Sequence, residues 1–503
     1  MTIPHPSQST VTGLDLAIAG LYLVISVVAG VSFAGKQKDL KTFLLAGNRM
    51  HSVMIGISVV AALFSGISFL GAPSETFHHN LIILWSVAAS FVATPITSKI
   101  FLPIFFRLKL YTAYQYLELR FDRRLRYVAS ASFISRVFLW LSLALYAPSL
   151  VISEMLGIPL WSAVILTGVC TTAYTAAGGM KAVIYTDVIQ FCVLLLGIIW
   201  ILVIALHDIP GGLVGAWQIA EAGGKTRIID LSFSLHTRMT VWGAFFGGLA
   251  VNLSALVTDQ ILVQRYMTAA SLKESQRALW IKLALVVPVV GLFYFAGLTL
   301  YGAYQMHPEL AATLTSSDRL LPNFVVHRLA SPIPGLFVAA ILAASMSTIS
   351  SGLNALTTAA LMDFLYIKNA ATGTPAVEKI RVRTARRCSA LFGVIVTLLA
   401  LWIGNLGTIV EATIKIGGYF GGPLLGVYLL AAFSRRANAR GTLLGALIGF
   451  VAVLGIGWFT EVSFMWFSLM AATISYLAGD AISRLFPHPT ADQLRLTYAG
   501  HLT

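Results

Sequence analysis

Apolar residues run along this 503-residue chain in long blocks separated by short polar or basic segments. Thirteen blocks read as bilayer-crossing helices: 12–33, 53–77, 81–104, 128–152, 158–176, 184–206, 240–264, 282–305, 333–366, 387–404, 409–433, 440–458 and 463–482. Two of them depart from a plain apolar helix. In 53–77, Ser65, Gly66, Ser68, Gly71 and Pro73 weaken the middle and upper half, which predicts either an interrupted helix or a proline kink filled by a neighbouring serine. An interruption frees backbone carbonyls, and it is tolerated in a membrane only where it lines a cavity or site. In 240–264, Gly247-Gly248 followed by Asn252-Leu253-Ser254 predicts a second interruption. The two lie five spans apart, the layout of two inverted five-helix repeats with a site between the broken helices.

The block 333–366 carries its own polar stripe. On a helix Ala344, Ser347, Thr348 and Ser351 share one face, and Ser350 and Asn354 widen it. A hydroxyl stripe in hydrocarbon needs partners. They can be other helices, held close by small residues, or a hard cation that takes oxygen ligands. The residues alone leave both readings open.

Composition changes the picture only by closing off a soluble fold: 57% of residues are hydrophobic, 11% are charged, and mean hydropathy is +0.83. A net charge of +14 raises nucleic acid as a partner, but the placement of the charges points to membrane topology instead. Alternate segments (34–50, 105–127, 177–183, 265–282, 367–387, 434–440 and the tail after 483) hold 26 Lys and Arg, against five in the remaining segments. The basic set is therefore assigned to the cytoplasm, with the N-terminus outside and the C-terminus inside. Segment 1–11 has no basic n-region, so the first span is not read as a signal peptide. Cys170, Cys192 and Cys388 have no metal or disulfide spacing, and no nucleotide, haem or zinc signature supports an enzyme.

Three charged residues inside spans are singled out. Arg136 pairs, binds an anion or, as the default reading, snorkels toward the cytoplasmic side. Asp187, the one acid of its span, is an N-cap or the counter-charge of a bound cation. Lys415 pairs with Glu411 at i,i+4 or reaches a substrate carboxylate. The polar run Thr258-Asp259-Gln260 with Val263-Gln264-Arg265-Tyr266 reads equally as a solvated helix end or as part of a site.

Several separate motifs resemble the sodium/solute symporter family over spans 2 to 11: Leu70-Gly71-Ala72-Pro73-Ser74-Glu75, Leu145-Tyr146-Ala147-Pro148, Gly178-Gly179-Met180-Lys181-Ala182-Val183 with Thr186-Asp187-Val188-Ile189-Gln190, Val263-Gln264-Arg265-Tyr266, and Gly422-Pro423-Leu424-Leu425-Gly426. The Gly-Ala-Pro-Ser-Glu and Tyr-Ala-Pro forms are most similar to the branch carrying iodide, monocarboxylates and the vitamins biotin and pantothenate. The resemblance implies an all-α integral membrane fold of the leucine-transporter type. That fold has 13 transmembrane helices: an outer N-terminus and extra span (1–33), a first repeat (50–206), a second repeat (238–433), and two C-terminal spans with a cytoplasmic tail (434–503).

It also implies a ligand set. One sodium ion would be held by the carbonyls of Ala61, Phe64 and Ala344 with the hydroxyls of Ser347 and Thr348. A second would lie among Asp187, Ser347, Ser350 and Ser351. The solute would meet Ser65, Ser68, Tyr146, Trp242 and Lys415. The iodide branch has glutamines where this chain has Ser68 and Ser90, which argues against iodide and for a small carboxylate. The expected activity is sodium-coupled symport of a small organic anion, with Na+ as coupling ion, the bilayer as environment, no nucleic acid, and no oligomer required. Rival readings are a proton-coupled carrier using Asp187, a sodium symporter of an amino acid, sugar or sialic acid, and a non-transporting sensor or channel. The short segment after Arg484 is read as too small for a signalling domain.

Overall fold

The computed structural model describes residues 11–33, 37, 39–314, 316–365, 374–403 and 409–502. The first ten residues, the start of the basic segment 367–387 and the Glu411 side chain, and with it the expected Glu411–Lys415 pair, lie outside the described residues. Among the described residues the chain is helical, with no strand. The long elements are α1 (Gly13–Val31), α2 (Ser52–Leu63), α3 (Gly66–His78), α4 (Leu81–Leu108), α5 (Arg123–Leu156), α6 (Leu160–His207), α7 (Gly243–Thr258), α8 (Gln260–Met267), α9 (Leu272–Met306), α10 (Ile333–Leu365), α11 (Pro375–Trp402), α12 (Ile409–Phe433), α13 (Ala439–Phe459) and α14 (Phe464–Ser483). Ten helices among the described residues are long and apolar enough to cross a membrane, or twelve crossings if each of two bent pairs counts as one.

The bent pairs are α2 with α3, at 66°, and α7 with α8, at 53°. The first break falls where Ser65 and Gly66 interrupt the apolar run. The second is not where the glycines predicted it. It comes at Asp259, whose side chain accepts from the Ile261 N–H and caps α8. Gly247-Gly248 and Asn252 stay helical, because the Asn252 amide donates to the Gly248 carbonyl of its own helix (2.8 Å) and to Ser86 of α4 (3.1 Å). The expected short connection between blocks 158–176 and 184–206 is a sharp turn at Gly179 (φ 63°, ψ −164°) between the two helical halves of α6. A Cβ at Gly179 would meet the Phe43 ring and carbonyl at 2.8 Å, so this turn needs glycine for both conformation and space. Helix α9 begins at Leu272, ten residues before the expected start, which draws Lys282 inside the helix.

One helix organises the rest. The apolar window of α10 is 94% buried, against 22–67% for the other candidate spans. Its small residues let neighbours approach: Gly335 receives Asp15 of α1, whose carboxylate accepts the Gly335 N–H at 2.8 Å, Gly352 receives Leu141 of α5, and Ala340 faces Gly197 of α6. The break between α2 and α3 lies against this rod. A Cβ on Gly66 would stand 2.3 Å from Pro148 Cγ of α5 and 2.6 Å from Ser345 Oγ of α10. Gly66→Ala is therefore expected to cost roughly 1–3 kcal/mol through overpacking, read as a lowered melting temperature of the purified protein. An unchanged melting temperature would mean that the three helices do not meet so closely.

Candidate functional site

The site grows from the break. Helix α2 ends with Phe64 at φ −92°, ψ 86°, and its N–H reaches Val60 O at 3.1 Å. Ser65 then caps α3, its hydroxyl accepting from the Ser68 N–H at 3.3 Å. The C-terminal carbonyls of one half-helix and the N-terminal amides of the next are thus left in the protein interior, where each needs a partner.

The partner rod is α10. Ser347 Oγ donates to the Ala61 carbonyl across the helix gap at 3.1 Å and lies 3.1 Å from the Ala344 carbonyl of its own helix. Thr348 is completely buried, and its Oγ1 has no hydrogen-bond partner among the described residues. A buried hydroxyl left without a partner is costly unless something binds there. The Ser347 hydroxyl joins α10 to the Ala61 carbonyl at the end of α2, and the oxygens of Ala61, Phe64, Ala344, Ser347 and Thr348 are all neutral. Such a set fits a hard monovalent cation.

The second predicted cluster is also buried, but it holds a resident cation that the sequence reading did not assign. Asp187 of α6 accepts from Ser58 at 2.5 Å and from Arg265 Nη2 of α8 at 2.9 Å. Arg265 also donates to Ser58 (2.9 Å), the Ile261 carbonyl (2.7 Å) and Ser351. Ser350 and Ser351 both donate to the Ser347 carbonyl, at 3.0 and 2.5 Å. Asp187 is thus neither an N-cap nor waiting for its only counter-charge, and Arg265 is not at a solvated helix end. One oxygen remains: Asp187 Oδ1 is buried without a partner. A cation here would share the carboxylate with Arg265.

Two cavities flank the break. The first, about 330 Å³, is walled by Phe64, Ser68, Ser90, Asn252, Lys282 and Tyr294, with the Glu75–Arg238 pair (2.7 and 2.8 Å) at one end. The second, about 310 Å³, is walled by Ser65, Ser68, Arg136, Trp140, Asp259 and Thr413. Of the five predicted solute residues, Ser65 lines the second cavity and Ser68 lines both. The other three line neither. Tyr146 is half-buried beside Ile67 and Leu143. Trp242 is 37% exposed, donates to Leu231 O at 3.0 Å and stacks on Phe246, so it sits at the surface instead of in the cavity. Lys415 lies on α12 beside Ile416 and Gly417 of the second cavity without lining it.

Two charged groups differ from their sequence reading. Arg136 does not snorkel; it pairs with Asp259 at 2.7 Å across the second cavity, with both side chains 16% exposed. Lys282, counted with a basic loop, is a buried wall of the first cavity. Its signal was available in part: it sits at the edge of an apolar block and continues one face of it. Among the described residues no group of His, Cys, Asp and Glu could hold a transition metal.

Known proteins share this chain's family and fold. The profile described as "Sodium:solute symporter family" matches residues 43–449. Human sodium-coupled monocarboxylate transporter 1 is 31% identical over 451 residues, covering 88% of this chain and 73% of that protein. The sodium-dependent multivitamin transporter of Oryctolagus cuniculus is 31% identical over 464 residues, covering 90% and 72%. Among solved structures, a Na+-coupled sialic acid symporter in a substrate-bound, outward-open state superposes with a TM-score of 0.88 at 27% identity, covering 95% of this chain and 99% of that one. Mhp1, a nucleobase-cation-symport-1 family transporter, shares the fold with a TM-score of 0.61 at 14% identity, covering 90% and 97%.

Proposed function

The chain belongs to the sodium:solute symporter family, and from that premise we propose that it imports a small organic anion, a monocarboxylate or carboxylate vitamin, together with sodium by alternating access. It is a multi-pass membrane transporter coupled to Na+, not an enzyme. The observation that carries the site assignment is the Ser347 hydroxyl joining α10 to the Ala61 carbonyl at the α2–α3 break, next in sequence to a buried Thr348 hydroxyl that has no partner among the described residues. Sodium bound by Ala61, Phe64, Ala344, Ser347 and Thr348 staples the broken helix to α10. That contact fixes the break, and with it Ser65 and Ser68, which face the cavities where the solute binds. A second sodium among Asp187, Ser347, Ser350 and Ser351 would bias the same rod through Arg265.

The reading includes 13 crossings, with α6 counted as two either side of Gly179, and two inverted repeats over 50–206 and 238–433. It places the chain in the cell membrane with its N-terminus outside and C-terminus inside, each chain a complete pathway. Each sodium charge moving inward gains roughly 2.3 kcal/mol per 100 mV. Two sodium ions with one monoanion therefore make import electrogenic.

The test is uptake of labelled propionate and pantothenate into proteoliposomes. A sodium gradient is expected to drive accumulation, and a valinomycin-set potential, negative inside, to increase it. Accumulation driven by a pH gradient with choline in place of sodium would replace sodium by a proton as the coupling ion. Equilibration without accumulation under any gradient would leave a channel.

A further inference from the structure

Lys282 is an ionisable residue for which neither the fold nor the sodium sites give a reason. It lies on α9, is 2% exposed, and makes no hydrogen bond or ion pair among the described residues. Holding an ammonium group away from water without a carboxylate is expensive. An intramembrane charge without a structural partner points to a functional one. The simplest structural alternative is snorkelling to an interface. Here the side chain lines the first cavity instead, in one stripe with Val286, Val290 and Tyr294 at steps of four along α9.

The rest of the lining sets what Lys282 can meet. The charged residues of that lining are Glu75, Arg238 and Lys282. Glu75 and Arg238 hold each other in a two-bond pair. They lie toward the Tyr294 end, where Thr76 donates to the Tyr294 carbonyl at 2.8 Å. Lys282 is twelve residues before Tyr294, roughly 18 Å down the helix, at the opposite end of the α9 stripe that lines the cavity. Two polar residues of the same lining are already engaged: Ser90 donates to Asn252 Oδ1 at 2.8 Å, and Asn252 spends its amide on Gly248 and Ser86. Lys282 thus brings to a cavity the size of a small solute a positive charge that has no partner among the described residues.

We propose that Lys282 is the specificity-determining residue of this carrier, its ammonium pairing with the carboxylate of the solute in the first cavity. The inference rests on the symport reading and extends it by naming the recognised charge and the residue that recognises it. A neutral solute would leave Lys282 unpaired, so the cavity discriminates by charge more than by shape. Arginine presents a larger, planar cation, and a neutral side chain presents none.

The test uses purified full-length protein and two matched probe pairs, propionate with propionamide and nicotinate with nicotinamide, titrated by thermal shift with and without sodium. Wild-type protein is expected to bind each carboxylate at least tenfold more tightly than its amide. Lys282→Gln and Lys282→Met are expected to bring that ratio close to one while leaving stabilisation by sodium alone intact. Lys282→Arg is expected to retain part of the preference. Neither neutral variant should melt below wild type, since each removes a buried, unpaired charge; a structural lysine would lower the melting temperature and leave the ratio alone. An unchanged ratio in Lys282→Gln, a wild-type preference for the amides, or no response to either probe pair overturns the inference and leaves sodium coupling untouched. Loss of all sodium response in wild type sinks the symport reading instead, and the ratio still decides the role of Lys282.

Discussion

Thr348→Ala is expected to raise the sodium concentration for half-maximal uptake at least tenfold while leaving the folded protein as stable as wild type. The hydroxyl it removes is buried and has no hydrogen-bond partner among the described residues, so the apo fold loses no hydrogen bond there. A tenfold change in ion affinity corresponds to about 1.4 kcal/mol, a modest loss for one of five oxygen ligands. Ser347→Ala supplies the contrast. Its hydroxyl already joins α10 to the Ala61 carbonyl, at 3.1 Å. Removing it costs a hydrogen bond, about 1 kcal/mol net, as well as a proposed ion ligand. The two variants therefore separate ion binding from helix contact: both weaken sodium dependence, and only the second lowers stability. Thr348→Ser keeps the hydroxyl and is expected to restore sodium affinity. If the half-saturating sodium concentration is unchanged in both alanine variants, the ion is held elsewhere.

How much of this was written in the sequence depends on how local its cause is. The first break was legible because Ser65 and Gly66 fall inside an otherwise apolar run, where weak helix formers are costly unless the helix ends at them. The second was misplaced because the same rule was applied to Gly247-Gly248 and Asn252, whose groups are satisfied within their own helix and by α4. The break came instead at Asp259, where a cap and a pairing with Arg136 cooperate over 123 positions of sequence. The hydroxyl face of α10 was visible from helical spacing alone, and the resemblance, not the spacing, turned it into a cation site.

Arg265 was left open between a solvated helix end and a site, and Lys282 was missed, for a shared reason. Counting basic residues beyond an apolar block treats them as solvated, yet α8 and the first turns of α9 continue inward, burying both. Trp242 failed in the opposite sense. A motif match moved it into the cavity, while its indole is held by the Leu231 carbonyl at the surface. Long-range pairing leaves no trace in hydropathy, and side chains reading as loop or as lining can be told apart only once the helices are in place.

The other large effect concerns the buried pair behind α10. Asp187→Asn leaves the Arg265 guanidinium fully enclosed with hydroxyls and a carbonyl but no carboxylate. Breaking a buried pair from one side costs about 3–5 kcal/mol, because the surviving charge stays desolvated. Arg265→Gln should cost a similar amount by stranding Asp187. The double variant Asp187→Asn with Arg265→Gln removes both charges and is expected to be clearly more stable than the sum of the two losses implies. Denaturant or thermal unfolding of the four proteins measures that coupling, and additive losses would mean that the two groups do not pair.

The same variants decide whether Asp187 also serves an ion. Its Oδ1 is the unclaimed oxygen, so a second sodium requires the carboxylate itself, whereas a purely structural acid does not. In the double variant, stable enough to assay, the Hill coefficient for sodium in uptake is expected to fall from near two toward one, with the Thr348 site still functional. A Hill coefficient that stays at the wild-type value would make Asp187 a partner of Arg265 alone, and the carrier would run on a single sodium ion.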